Sequence, residues 1–315
     1  MKVIDTHCHF LTKAYVDALV RYDRINEDGF PIPDWNPQMQ LEYMEKAGIE
    51  HAVLSLSTPH PHFGEDAFSR DLNRSINEEA AMLVRKYPDR FSFAATLPLP
   101  NVGYALEEAK YALETLGARG VKIASQSNGL YLGDERLEPL MEYINEKKSV
   151  IIIHPSKPQA VPEGCFTSGP LPLLEFINDT TRAVINLLAN GTLEKYPNVK
   201  VLVPHCGSFL PNIIDRLSGI TRLFEQKGIG KAVDVQKGLS SLYFDIAGDA
   251  FPRGIKILQS LADDDHIMFG GDFPYTPVPM IVKKREDLEQ MGLSQECFDK
   301  YTHSNAEKLF GINCL

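Results

Sequence analysis

Eight short runs rich in β-branched and aromatic residues recur along this chain of 315 residues, and stretches of helical periodicity separate them. The runs cover residues 3–10, 52–57, 91–97, 120–125, 150–154, 199–205, 242–247 and 266–271. Between them lie helical patterns such as residues 71–85, 103–116, 137–146, 180–193, 211–224 and 252–261. This alternation predicts an α/β protein whose eight parallel strands close into a (β/α)8 TIM barrel, one domain over residues 1–315, with an open doubly wound sheet as the alternative. Leu116-Gly117, Gly120 and Tyr196-Pro197-Asn198 supply the turn chemistry for short connections from helix to strand. Longer irregular segments, residues 11–37, 58–68 and 155–179, follow strands one, two and five. In a barrel such loops gather at the C-terminal ends of the strands, where active sites belong.

Composition narrows the function. A formal charge of −10, from 42 acidic and 32 basic side chains, argues against a nucleic-acid partner, which needs clustered cations. A hydrophobic content of 43% excludes a disordered or low-complexity chain. Asp5, His7 and His9 interrupt the only early apolar stretch, so neither an export signal nor a membrane span is expected. Cys8, Cys165, Cys206, Cys297 and Cys314 are odd in number and scattered, which suits a reduced, cytoplasmic protein without a disulfide framework.

The strand ends carry the chemistry. Asp5-Thr6-His7-Cys8-His9 closes the first run, and strand alternation puts Asp5, His7 and His9 on one face and Thr6 and Cys8 on the other. His154 ends the fifth run, His205 the sixth, and Asp272 follows the eighth. Imidazoles and a carboxylate on one barrel rim suit a divalent cation, zinc first among them and manganese as an alternative.

These motifs in this order, with the Pro204-His-Cys-Gly207 and Gly270-Gly-Asp-Phe-Pro274 turns, resemble the amidohydrolase superfamily. More narrowly they resemble its aminocarboxymuconate semialdehyde decarboxylase branch, which includes resorcylate and methylsalicylate decarboxylases. The similarity runs from Val3 to the C-terminal stretch Ser304-Asn305-Ala306-Glu-Lys-Leu-Phe310. It implies His7, His9, His154 and Asp272 as ligands of one metal ion, with Asp272 also catalytic and His205 beside it as an acid/base. It further implies that Arg216 meets the substrate carboxylate of the neighbouring subunit in a homodimer; a solvated helix charge is the plainer reading of that arginine.

Several residues keep two readings. Lys122, in an otherwise apolar strand, matches the region where binuclear relatives carry a carboxylated lysine, yet it could equally pair with a carboxylate or touch substrate. Trp35, in a proline-stiffened segment, either covers an aromatic substrate or packs its loop. Phe176 opens a Phe-x-x-Asp-Thr-Thr string similar to that bordering the pocket of methylsalicylate-type decarboxylases, in which Asp179 or Thr180 would cap the following helix. His60-Pro-His62 is a second His-x-His whose proline spoils alternation and points to a surface or substrate role. Cys8 and Cys206 are expected to turn away and pack.

The expected activity is metal-dependent, non-oxidative decarboxylation of a small aromatic or unsaturated carboxylic acid. Hydrolysis of a lactone, ester or amide is the alternative, since one metal with an open position serves either. A binding barrel without turnover is the third reading, and it leaves His205 without a purpose.

Overall fold

In the computed structural model, which describes residues 2–162, 164 and 169–312, eight parallel strands form one sheet in sequence order. They are β1 (Ile4–Phe10), β2 (His51–Leu56), β3 (Phe91–Thr96), β4 (Gly120–Ala124), β5 (Val150–His154), β6 (Lys200–Val203), β7 (Leu242–Asp245) and β8 (Ile267–Met268). The sheet curls back on itself. Cys8 bridges Phe273 in parallel, Thr6 N–H donates to Phe269 O at 3.0 Å, and Asp272 N–H donates to His7 O at 2.6 Å. A (β/α)8 barrel results, and the open-sheet alternative falls. Cys165 and Cys314 lie outside the described residues.

Two apolar layers hold it. Ile4, Val53, Ala94, Val150, Ile152, Leu202 and Met268 fill the barrel interior, joined by Ala306 and Phe310 of the helix Asn305–Phe310, which plugs one end. A larger layer packs the outer strand faces against the helices, with Tyr15, Tyr43, Phe93 and Tyr301 among its fully buried members. Burial of this kind stabilises by roughly 25 cal/mol per Å² of apolar surface.

The structure corrects several expectations. Residues 11–37 contain a helix, Lys13–Arg21, whose N-cap Thr12 accepts from Tyr15 N–H and whose Tyr15, Ala18 and Leu19 are buried at helical spacing. The helix expected from Thr180 begins at Glu175, so Asp179 and Thr180 sit within it and cap nothing. Strand β6 stops at Val203 and β8 at Met268, short of the expected 205 and 271. Finally, the pairing of β1 with β2 shifts between Asp5 and Cys8, and an extra residue reverses which face follows. Asp5 therefore meets Tyr43 of the outer layer and does not join His7 and His9.

Candidate active site

Three imidazoles are pinned in the same way. His7 Nδ1 donates to Asp245 Oδ2 at 2.8 Å, His9 Nδ1 to Ser55 O at 3.2 Å, and His154 Nδ1 to Pro155 O at 2.9 Å. Because each acceptor is an oxygen without a proton, each Nδ1 must carry the hydrogen, and each Nε2 is left with its lone pair. Donor atoms of the three rings lie within 4.8 Å of one another. Asp272 Oδ1 joins them at 3.2 Å from His9 Nε2 and 3.6 Å from His7 Nε2. Three imidazole lone pairs brought together, with a carboxylate against two of them, repel unless a cation sits among them, and His7 Nε2 is buried with no hydrogen-bond partner. The donor set therefore fits a divalent metal ion, with oriented imidazoles of the kind metal sites use.

His205 differs. Its Nδ1 is buried without a partner, and its Nε2 faces Asp272 Oδ2 at 3.8 Å. The carboxylate facing Nε2 favours the tautomer with its hydrogen on that nitrogen.

Backbone geometry aims these groups. His205 and Asp272 both take left-handed conformations, φ 56° and 69°, which non-glycine residues rarely adopt and which cluster at functional sites. Asp245 braces His7 and His205: Oδ2 holds the His7 ring, and Oδ1 accepts from the backbone N–H of His205 and of Ala247, each at 3.0 Å. Asp5 accepts from His7 N–H, Gly271 N–H and Tyr43 Oη–H, locking β1 to the turn that carries Asp272. Gly271 has no substitute there, since a Cβ would stand 2.4 Å from Tyr43 Oη and 2.6 Å from Asp5 Oδ2.

The charges follow. Burial disfavours ionisation of Asp272, but the facing imidazoles of His205, His9 and His7 outweigh it and hold its carboxyl well below the usual range. Burial, with the neighbouring His9 and Lys122, keeps His154 neutral, and burial likewise lowers His9. Burial opposes a charge on His7 too, yet Asp245, Asp272 and Asp5 lift it to about 9. Without a cation, a proton on His7 is what relieves the carboxylates.

Above the cluster opens a cavity of about 520 Å³. His154, His205 and Asp272 form its floor, and Phe30, Ile32, Phe176 and Tyr275 contribute apolar walls. Phe176 thus reaches the cavity, while Trp35 does not line it: the indole packs edge-on against Phe10 and its Nε1–H donates to Gln40 Oε1. The packing reading of Trp35 is the one the structure supports. Cys206 lines the cavity, contrary to expectation, because the chain leaves the strand at Val203 and alternation no longer governs it. Burial raises its thiol to about 12, so it stays protonated. Cys8 packs as expected. Asp179 is buried, accepting from Ser125 Oγ and Tyr131 Oη, and so ties its helix to the end of β4. Lys122 Nζ donates to Ser57 O at 3.1 Å. His60 donates to Leu99 O, and His62 contacts Asp66 and Asn128; neither joins the cluster. Arg216 is exposed on the helix Leu210–Gln226 and does not line the cavity of its own chain.

The sequence reading missed Asp245, Ser57, Asp28 and Tyr275. Asp245 had a usable signal, since Leu-Tyr-Phe-Asp245 closes an apolar run with a carboxylate, as Val-Ile-Ile-Ile-His154 closes one with an imidazole.

A family model described as amidohydrolase matches residues 4–312. Decarboxylase yanB of Aspergillus niger is 32% identical over 325 residues, covering 98% of this chain and 88% of that protein. A 6-methylsalicylic acid decarboxylase of Penicillium expansum is 30% identical, covering 98% and 96%. In structure, a 5-carboxyvanillate decarboxylase of Novosphingobium aromaticivorans, complexed with manganese and 4-hydroxy-3-methoxy-5-nitrobenzoic acid, superposes with a TM-score of 0.84 at 23% identity. That match covers 98% of this chain and 96% of the other.

Proposed function

The chain belongs to the amidohydrolase family, and from that premise we propose that it is a divalent-metal-dependent, non-oxidative decarboxylase of aromatic carboxylic acids. The activity is carried by the relatives of at least 30% identity, named as decarboxylases, together with four lone-pair donors converging beneath an apolar cavity. His7, His9, His154 and Asp272 hold the metal, and zinc is the ion we assign, because three nitrogens and a carboxylate suit it; manganese is the ion of the structural neighbour. When bound, the cation supplies Lewis acidity at the substrate's oxygens. Phe176 and the other apolar walls hold the ring, with carbon rather than oxygen presented to Asp272. Asp272, ionised at rest, relays a proton from His205 Nε2, which faces its Oδ2 at 3.8 Å, to the ring carbon that bears the carboxylate, and His205 recovers its proton from solvent. The bond to the carboxyl carbon then breaks, its electron pair re-forms the aromatic ring, and carbon dioxide leaves.

A carboxylate substrate needs a cation at its mouth as well. Among the described residues no lysine or arginine lines the cavity, whereas Asp28, Asp249 and Asp272 do. Arg216 stands on a helix that leaves Ile220, Leu223 and Phe224 exposed. We assign this face to a homodimer in which each cavity receives the partner's guanidinium, paired with the substrate carboxylate. Mixing an Arg216→Ala subunit with an Asp272→Ala subunit should restore activity through one intact hybrid site; mixed dimers that stay inactive refute the sharing. No helix of the described residues is long and apolar enough to cross a membrane. Cys8, Cys206 and Cys297 are free thiols, which favours our cytoplasmic assignment. We also read residues 1–315 as one domain.

The decisive experiment incubates metal-loaded protein with a panel of hydroxybenzoates and lactones, following carbon dioxide and acid release separately. Carbon dioxide with the matching phenol is the expected result; acid release from lactones alone would establish a hydrolase instead. Elemental analysis should find one zinc per chain.

A further inference from the structure

Asp28 belongs to no part of the chemistry above, yet it lines the same cavity and is 4% exposed. Its Oδ2 accepts from Thr58 Oγ1–H at 3.0 Å, while Oδ1 is buried with no donor. A buried carboxylate oxygen without a donor is costly and calls for a partner. None of the described lysines or arginines forms an ion pair with it: Arg24 and Lys157 act on it without contact, and Lys122, which feels its charge, has its Nζ on Ser57 O. Nor can the segment retreat to water. Leu171 N–H donates to Asp28 O at 2.9 Å, and Gly29, at φ 71°, approaches Pro170 so closely that a Cβ would stand 3.1 Å from its Cα. Phe30, Ile32 and Tyr275 line the cavity beside it, so the acid stands, with Thr58, among apolar side chains.

We propose that Asp28 selects the substrate by accepting a hydrogen bond from a second ring hydroxyl or an amino group, so that preferred acids carry such a donor besides their carboxylate. The proposal rests on the decarboxylase reading for its choice of aromatic acids. Rotation about χ2 of an aspartate is soft, so a free oxygen can turn to a donor in the cavity. Burial raises the Asp28 carboxyl to about 6, which leaves it mostly ionised and an acceptor at neutral pH. Recognition of this sort discriminates well, because an analogue that lacks the donor leaves the buried acceptor unpaired.

The test compares pairs of 2-hydroxybenzoates that carry either a hydroxyl or a methyl group at one further ring position, surveyed position by position with metal-loaded enzyme. At one position the hydroxyl acid should win in kcat/KM by roughly 10- to 100-fold. Asp28→Ala and Asp28→Leu should bring that ratio close to one while 2-hydroxybenzoate itself is turned over within about threefold of the original rate. A merely structural role would lower all acids together and leave the ratio in place. That result, or the absence of hydroxyl preference at every position, overturns the proposal. Calorimetric binding of dihydroxybenzenes against the matching cresols separates the two claims. If diol preference exists and disappears in Asp28→Ala while no acid releases carbon dioxide, the decarboxylase reading fails and the role of Asp28 stands. If carbon dioxide is released and Asp28→Ala changes neither ratio, the role of Asp28 fails alone.

Discussion

The two ends of the barrel obey opposite rules. At the plugged end, Ile4, Val53, Val150 and Met268 meet Ala306 and Phe310 in an apolar interior whose polar neighbour Asn305 is satisfied by the Asp264 and Ile267 carbonyls. At the cavity end, four non-glycine residues, His205, Cys206, Ser208 and Asp272, hold left-handed backbones, three histidines bring lone pairs together beside a carboxylate, and His7 Nε2, His205 Nδ1 and Asp28 Oδ1 are buried without partners. Local preference and global fold agree at the first end and conflict at the second. The conflict is tolerated because the backbone is held from below. Asp5 and Asp245, both fully buried, fasten the rim to the strands with hydrogen bonds that the chemistry itself does not use.

Substitutions at the two ends should therefore fail in different currencies of measurement, activity at one and stability at the other. The largest effect is expected for Asp272→Ala, which removes ligand and proton carrier together: turnover should fall by about 10⁴ or more and metal content should drop in the same preparation. His205→Ala should lower turnover by about 10² to 10⁴ with metal content and melting temperature unchanged; a metal-free but folded variant would make His205 a ligand and overturn its assignment. Phe310→Ala, at the other end, should cost about 3–5 kcal/mol in denaturant unfolding, while the remaining folded enzyme keeps its kcat. Loss of kcat there would mean that the two ends are coupled. Asp245→Asn tests the bracing between them: metal affinity should weaken by about 10- to 100-fold, read by competition with a chelator, because the His7 ring loses its oriented acceptor.

The same contrast explains what could be read from the residues alone. Strands such as Val150-Ile-Ile-Ile-His154 are legible because β-branched runs have no better conformation, and a histidine closing such a run announces a rim. The helix Lys13–Arg21 was legible in principle, through Thr12 as cap and Tyr15, Ala18 and Leu19 as a stripe, but the neighbouring prolines and polar residues made the whole stretch resemble loop. The reversed face of Asp5 was not legible, since an inserted residue in a strand is set by pairing with β2 and leaves no mark in β1. Asp28 was hidden for another reason. A loop carboxylate has no periodicity to betray its burial, and only the approach of Thr58 and Leu171 gives it a role.

The smallest effect belongs to the residue that violates the interior rule from within the sheet. Lys122 lies on β4, is 1% exposed, and has a single carbonyl, Ser57 O, for its ammonium. Burial pulls its pKa from 10.5 down to about 7, only partly opposed by Asp28. Between those two values the unfolded chain binds more protons than the folded one, so stability rises with pH across that window and falls as pH drops toward 7. The gap corresponds to roughly 5 kcal/mol at most, present in full below about pH 7 and gone above about pH 10.5. Lys122→Met removes this penalty but leaves Ser57 O without its donor, which returns roughly 1–3 kcal/mol. The variant should thus be about 2 kcal/mol more stable than the original near pH 6 and should lose that advantage progressively toward pH 10, in denaturant titrations at several pH values. A pH-independent difference would mean that the lysine is not the titrating group, and a variant less stable at every pH would mean that its ammonium is held by more than one carbonyl.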